Sequence, residues 1–91
     1  MTNNTAPRTF AAIRTDLDEL YALPVPNSTA RSTVLDSLVR EMIDAVEVAL
    51  VGHFDEPLAV YRDCLDRTGR NIPVEVANRL AAECDRRIAE Q

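Results

Sequence analysis

The side chains that could do chemistry are few, and a single histidine is among them. His53 follows Gly52, and Asp55 and Glu56 come soon after it. A metal site on a helix places its ligands three or four residues apart, and nucleophilic catalysis needs a nucleophile, a base and an orienting group. One histidine and two adjacent carboxylates at a turn meet neither requirement. We therefore expect no metal site and no catalytic site, with His53 packing at the turn or facing water.

Both cysteines lie on apolar helical patterns. Cys64 follows Leu58 and Tyr61 at helical spacing, and Cys84 belongs to the next pattern along the chain. In a hairpin of helices centred near residues 70–71, Cys84 lies roughly 10 Å along the axis from the residue opposite Cys64. A disulfide needs Cα atoms within about 7 Å of each other. We predict two buried, reduced and poorly reactive thiols.

The motif Asp36-Ser37-Leu38 resembles the signature of acyl carrier proteins, which are small acidic four-helix bundles. The resemblance implies that Ser37 accepts a phosphopantetheine arm at the start of the second helix, and that the acidic helix after it is a docking face. In this chain the stretch 31–35 already has a helical pattern, which places Ser37 in the middle of a helix. An acyl-carrier-like protein is therefore an alternative function, while our prediction is that Ser37 carries no prosthetic group and that the chain needs no cofactor.

Two segments are similar to DNA-binding motifs. The stretch 70–80 resembles the strand and first helix of ribbon-helix-helix repressors, and the helices on either side of Gly69 resemble a helix-turn-helix. Both resemblances imply a small DNA-binding regulator, which is a second alternative. The net charge is −5 and the sequence pI is near 4.7, so the phosphate backbone would repel the chain. We therefore predict no nucleic-acid partner.

Four apolar periodicities, bounded by prolines and glycines, must position these side chains, and no strand pattern is present. The predicted helices span 6–22, 28–51, 56–68 and 73–89, with Thr5 as the first N-cap, Pro7 in the first turn, Gly52 closing the second helix and Gly69 ending the third. Short connections make neighbouring helices antiparallel. We predict one all-α domain over 1–91, a small up-down four-helix bundle with a three-helix core as fallback, and a flexible N-terminus at about 1–5.

Each helix has a predicted buried stripe. The stripes comprise Phe10, Ile13, Leu17 and Leu20; then Leu35, Leu38, Val39, Met42, Ile43, Ala45, Val46, Ala49 and Leu50; then Leu58, Tyr61, Cys64 and Leu65; and finally Ala77, Leu80, Ala81, Cys84 and Ile88. The second stripe covers an arc of about 160°, which suits a central helix with two or more neighbours.

Acidic residues precede arginines by four positions at five places, which favours ion pairs along solvent-facing helix sides. The predicted pairs are Asp36–Arg40, Asp63–Arg67, Asp66–Arg70, Glu75–Arg79 and Glu83–Arg87.

Composition narrows the class of protein further. The 91 residues are 46% apolar and 27% charged, as in globular domains, but alanine makes up much of the apolar set and aromatic residues are 4%. The core is therefore thin, and self-association would enlarge it. No apolar run is long enough to span a membrane, and no signal-peptide pattern opens the chain. We expect a cytoplasmic protein without a membrane partner.

An apolar strip at the end of the second helix is the strongest functional signal. Val48 and Val51 fall on the polar side of that helix beside Asp44 and Glu47, and Phe54 follows just past the turn. Exposed apolar strips rimmed by charge are typical of interaction sites. We predict a non-catalytic protein–protein interaction module, such as an adaptor, antitoxin, immunity protein or phage-type inhibitor. These five residues are its predicted interface, and its partner is another protein or a second copy. The alternative is that a neighbouring helix covers both valines.

Overall fold

The computed structural model describes residues 8–22, 29–68 and 72–90. Its helices are α1 (Phe10–Ala22), α2 (Thr29–Leu50), α3 (Pro57–Thr68) and α4 (Val74–Ala89). Helix accounts for 85% of the described residues and no strand occurs within them, which confirms the predicted all-α class with four helices. The predicted cap at Thr5, the first-turn Pro7, the predicted flexible N-terminus and the stop at Gly69 lie outside the described residues.

The first helix begins one turn later than the sequence predicts. Arg8 and Thr9 are not helical, and the Thr9 hydroxyl accepts a hydrogen bond from the backbone N–H of Ala12 at 3.2 Å. Thr9 is therefore the N-cap, because a side-chain oxygen there satisfies an N–H that has no partner within the helix. The predicted helical start at residue 6 is wrong, and α1 starts at Phe10.

The end of α2 follows the prediction closely. α2 stops at Leu50, and Gly52 takes a left-handed backbone conformation with φ +89°. The backbone N–H of His53 donates to the Leu50 carbonyl at 3.0 Å, which closes the turn. Glycine reaches this conformation without the steric cost that a Cβ imposes. The chain then reverses over a few residues into α3.

α2 is the central helix, as its wide apolar arc predicts. It packs against α1, α3 and α4, and α4 also packs against α3. The fully buried side chains come from all four helices and comprise Ile13, Leu17, Leu35, Met42, Ile43, Leu58, Val76, Leu80 and Cys84. The core is thus one cluster around α2.

Contacts at both ends of α2 fix the helix directions. α1 runs antiparallel to α2, because Arg8 binds Glu41 at 3.1 Å while the Arg31 guanidinium lies 4.9 Å from the centre of the Tyr21 ring. α4 runs parallel to α2, because the same Arg31, near the start of α2, binds Glu75, near the start of α4, at 3.2 Å. These directions agree with the predicted up-down order.

Three burial predictions need correction. Cys64 is exposed, because it lies about 100° around α3 from the buried Leu65. Ala49 is exposed and Leu50 is half-buried, so the buried side of α2 ends one turn earlier than its apolar pattern predicts. Val76, which the sequence stripe omits, is fully buried.

Two of the five predicted ion pairs are confirmed, Asp63–Arg67 at 3.2 Å and Glu83–Arg87 at 2.7 Å. Two others are replaced by pairs between α2 and α4, since Asp36 binds Arg79 and Glu75 binds Arg31. Helical spacing cannot anticipate such a partner on another helix. The fifth predicted pair, Asp66–Arg70, stays a prediction, because Arg70 lies outside the described residues. Asp66 binds Arg62.

Candidate functional site

One side of α2 faces away from the other helices near its C-terminal end. Arg40, Asp44, Glu47, Val48 and Val51 fall within an arc of about 100° on that side. Arg40 and both valines are exposed, and the two carboxylates are half-buried. We call these five residues the outer face of α2. They share one face because their spacing is three or four residues, as the sequence predicts.

The three apolar residues predicted at the site are all open to solvent. Val48 is 58% exposed, Val51 67% and Phe54 46%. We call Val48, Val51 and Phe54 the α2-end strip. The alternative that a neighbouring helix covers both valines is wrong for the part of the chain that the structure describes. The strip arises because α2 carries valine at two positions where the rest of its outer face is charged.

The structure brings four of the five predicted interface residues around one shallow concavity. Its lining is Asp44, Glu47, Val48 and Val51. Phe54 does not line it, but a backbone bridge joins Val51 to Phe54 across the turn. The backbone of Phe54 therefore lies beside that of Val51, in the turn that follows the helix.

The two carboxylates beside the strip share one ion-pair partner on α4. The Arg87 guanidinium donates to Asp44 at 2.6 Å and to Glu47 at 2.9 Å, and it also binds Glu83 at 2.7 Å. The Arg87 side chain is 18% exposed. Burial alone would lower the pKa of Arg87, but the hydrogen bonds to Asp44 and Glu83 outweigh it and raise the pKa above its ordinary value. Arg87 is thus a fixed cation at the edge of the strip.

An apolar groove that the sequence did not reveal adjoins the strip. It has a volume of about 470 Å³ and lies between the start of α1, the end of α2 and α3. It is lined by Arg8, Thr9, Phe10, Ala45, Val46, Val48, Ala49, Leu50 and Tyr61. Val48 borders both the groove and the shallow concavity. Thr9 is a capping residue type, and this signal in the sequence could have revealed the groove. With Thr9 as the N-cap, α1 is one turn shorter, on the side where it packs against α2, than the predicted helix.

Two aromatic rings form one wall of this groove. Phe10 and Tyr61 meet edge to face, with ring centroids 6.4 Å apart. Burial raises the pKa of Tyr61 to about 12, so its phenol stays protonated at neutral pH. On the opposite side Arg8 is held by Asp16 at 2.6 Å and by Glu41 at 3.1 Å. The groove therefore offers an apolar surface with a neutralised polar edge.

Unpaired charges lie at both ends of the strip. Arg40 precedes Val48 by two turns on the outer face, and Asp55 and Glu56 follow Phe54. All three charged side chains are exposed, and none forms an ion pair with another described residue. The surface thus has a cation at one end, an apolar centre and two anions at the other end.

The other residues considered for chemistry are dispersed. Ser37 lies exposed in the middle of α2, about two turns from its start, and His53 is exposed at the turn. No disulfide joins Cys64 to Cys84. Burial raises the pKa of the Cys84 thiol to about 11. Within 8–22, 29–68 and 72–90, no three His, Cys, Asp or Glu side chains are grouped closely enough to hold a metal ion.

Of the segment 70–80, which resembles ribbon-helix-helix repressors, the structure describes residues 72–80, and within them helix begins at Val74. Ile72 and Pro73 precede α4 without regular structure. Arg79, Arg86 and Arg87 on α4 each bind carboxylates of this chain. The arginines of this helix are therefore already engaged.

None of the described helices has the length and apolar character needed to cross a membrane.

Comparison with family models, with curated proteins and with solved structures found no match for this chain.

Proposed function

We propose that this chain is a non-catalytic interaction module that binds another polypeptide through the end of α2. The observation that carries the proposal is the exposure of three large apolar side chains, Val48, Val51 and Phe54, close together at the end of α2. Single exposed apolar side chains are ordinary on protein surfaces, whereas contiguous ones rimmed by charge mark interaction sites. We place this interaction in the cytoplasm, since reduced cysteines are usual there.

The free energy of burying apolar side chains favours a partner that covers the α2-end strip. Burying a valine side chain completely contributes roughly 1.5–3 kcal/mol. The nearby carboxylates of Asp44 and Glu47 would oppose burial if they were bare, because desolvating a charge is costly. Arg87 binds both carboxylates and Glu83 as well, so it offsets part of the charge that a partner covering the valines would bury.

The adjoining groove extends the surface that a partner can contact. On α2 the groove is lined by the small side chains of Ala45 and Ala49. The rings of Phe10 and Tyr61 lie beside them. Small side chains next to aromatic ones suit an apolar helix face, which binds with residues three and four apart. The strip and the groove together make a larger interface than the valines alone.

Replacing the valines tests the proposal. Val48→Gln with Val51→Gln removes the apolar centre while keeping good helix formers and the net charge. Capture from the source cell with mass spectrometry is expected to lose its specific proteins, or sedimentation to lose its dimer. The matched control is Val34→Gln with Val74→Gln, since both are exposed valines away from the strip.

Circular dichroism verifies that both variants fold. The control should keep the partners of the wild-type chain. If the strip variant folds and retains the same captured proteins and the same sedimentation as the wild type, the proposal is wrong.

A further inference from the structure

The shallow concavity beside the α2-end strip is acidic. Two apolar and two charged side chains line it, and both charged ones are carboxylates: Asp44, Glu47, Val48 and Val51. Arg40, the arginine of the outer face, borders a different concavity, between α2 and α4. A partner that covers the valines therefore meets negative charge beside them.

The arginines of α4 compensate only part of this charge. Four carboxylates share two guanidinium groups in one network, whose members are Asp44, Glu47, Glu83, Glu90, Arg86 and Arg87. The network therefore keeps two net negative charges. Among the described residues, Arg87 is the only one that reaches the two carboxylates of the concavity, and Glu83 draws on the same guanidinium.

Each of these two carboxylates keeps one oxygen for an outside donor. Arg87 donates to Oδ1 of Asp44 and to Oε1 of Glu47. In the part of the chain that the structure describes, no hydrogen bond reaches Oδ2 of Asp44 or Oε2 of Glu47. The side chains are 48% and 38% exposed, so a donor can approach them from solvent. Arginine and lysine form the strongest hydrogen bonds to such oxygens, because their donors are charged.

We infer that the α2-end strip binds a segment of another protein in which arginine or lysine side chains stand beside apolar ones. The inference rests on the proposed function of the same surface. The apolar side chains of the segment cover Val48 and Val51, and its cations donate to the open oxygens of Asp44 and Glu47. Complementary charge of this kind steers association and disfavours partners of the wrong sign. A second copy of the chain fits poorly, because it brings the same carboxylates and a net charge of −5.

A peptide selection tests this chemistry directly. Random peptides about 15 residues long, or four helical turns, are displayed on phage and selected on the immobilised wild-type chain at low salt. The recovered peptides are expected to carry arginine or lysine next to apolar residues, with acidic residues depleted. Recovery of uncharged or acidic peptides, or of none, overturns the inference.

Variants of the full chain locate the contact. Asp44→Asn with Glu47→Gln keeps oxygen acceptors for Arg87 but removes both negative charges. A selected peptide is expected to bind this variant about tenfold more weakly than the wild type at low salt, and with less dependence on salt. Asp18→Asn with Glu19→Gln removes two negative charges from exposed sites on α1 and should bind like the wild type. Equal loss in the two variants would reduce the attraction to net charge and overturn the inference.

A change in the peptide makes the same comparison on the wild-type chain. Each arginine and lysine of the selected peptide is replaced by glutamine, so the result does not depend on the stability of a variant. The neutral peptide should bind about tenfold more weakly. Equal binding of the two peptides overturns the inference.

Failure of this inference can be distinguished from failure of the proposed function. If the selected peptides lose binding in Val48→Gln with Val51→Gln but not in the carboxylate variant, the strip binds a polypeptide of another kind and the proposed function stands. If sedimentation shows a wild-type dimer that the valine variant loses, a second copy is the occupant and only the inference fails. If no selected peptide depends on the valines, both fail.

Discussion

The Arg87 guanidinium on α4 donates a hydrogen bond to the Asp44 carboxylate on α2 across 2.6 Å. The same guanidinium binds Glu47 on α2 and Glu83 on α4. One side chain therefore joins two parallel helices and also sets the charge beside the α2-end strip. Arg87 therefore matters both for the fold and for the proposed function, since the exposed valines lie next to the carboxylates that it binds.

Arg87→Met is expected to destabilise the fold by about 1–2 kcal/mol, because hydrogen bonds to partly buried charged groups are lost and carboxylates are left without a cation. Urea unfolding at neutral pH measures the change. Arg67→Met is the control, since Arg67 and Asp63 are an exposed pair within α3. It should cost less than about 0.5 kcal/mol. Equal losses in the two variants would contradict a structural role for Arg87.

Lowering the pH should reduce the free energy of unfolding, partly through Glu83. The side chain of Glu83 is 11% exposed. Hydrogen bonds from Arg86 and then Arg87 lower the pKa of Glu83 below its ordinary value of 4.5, against the opposing effect of burial. A carboxyl with a lower pKa in the folded state stabilises it above the unfolded pKa, and that contribution is lost as pH falls through the folded pKa. Urea midpoints should therefore decline below about pH 4.5, and less steeply in Glu83→Gln.

A control for this pH effect is Glu19→Gln, which changes an exposed glutamate on α1. Its urea midpoints should follow the wild-type decline. An identical acid decline in the wild type and in Glu83→Gln would show that Glu83 contributes nothing to it.

The two thiols should react at very different rates. Cys64 is exposed, whereas Cys84 is fully buried and burial raises its pKa to about 11. The thiolate is the reactive form, so Cys84 should react with Ellman's reagent only after unfolding. Native protein is expected to show one fast thiol, and Cys64→Ser should show none. Two fast thiols in the native wild type would contradict the burial of Cys84.

The helices could be predicted because their signals are local. Spacings of three and four mark the buried side of each helix, and Gly52 marks the end of α2. The start of α1 was misjudged because Thr5 and Thr9 are both capping residues, and the sequence alone does not rank them. The choice matters, because Arg8, Thr9 and Phe10 at the start of α1 line the groove.

The strip could also be predicted, whereas the charges around it could not. The exposure of Val48 and Val51 follows from their position on a helix whose other side is apolar. The binding of Asp44 and Glu47 by Arg87 depends on how α4 lies against α2. Residues forty or more positions apart cannot be paired by helical spacing.

Cross-linking through the strip tests the central claim most directly. In a Cys64→Ser background, Val51→Cys is compared with Val34→Cys, which is exposed on the same helix but outside the strip. A thiol-linked photocross-linker on residue 51 lies within the proposed binding surface, whereas the same group on residue 34 lies outside it. The account predicts that irradiation links the Val51→Cys variant to the polypeptide that covers the strip and leaves the Val34→Cys variant largely unlinked. Equal slow cross-linking of the two variants would contradict it.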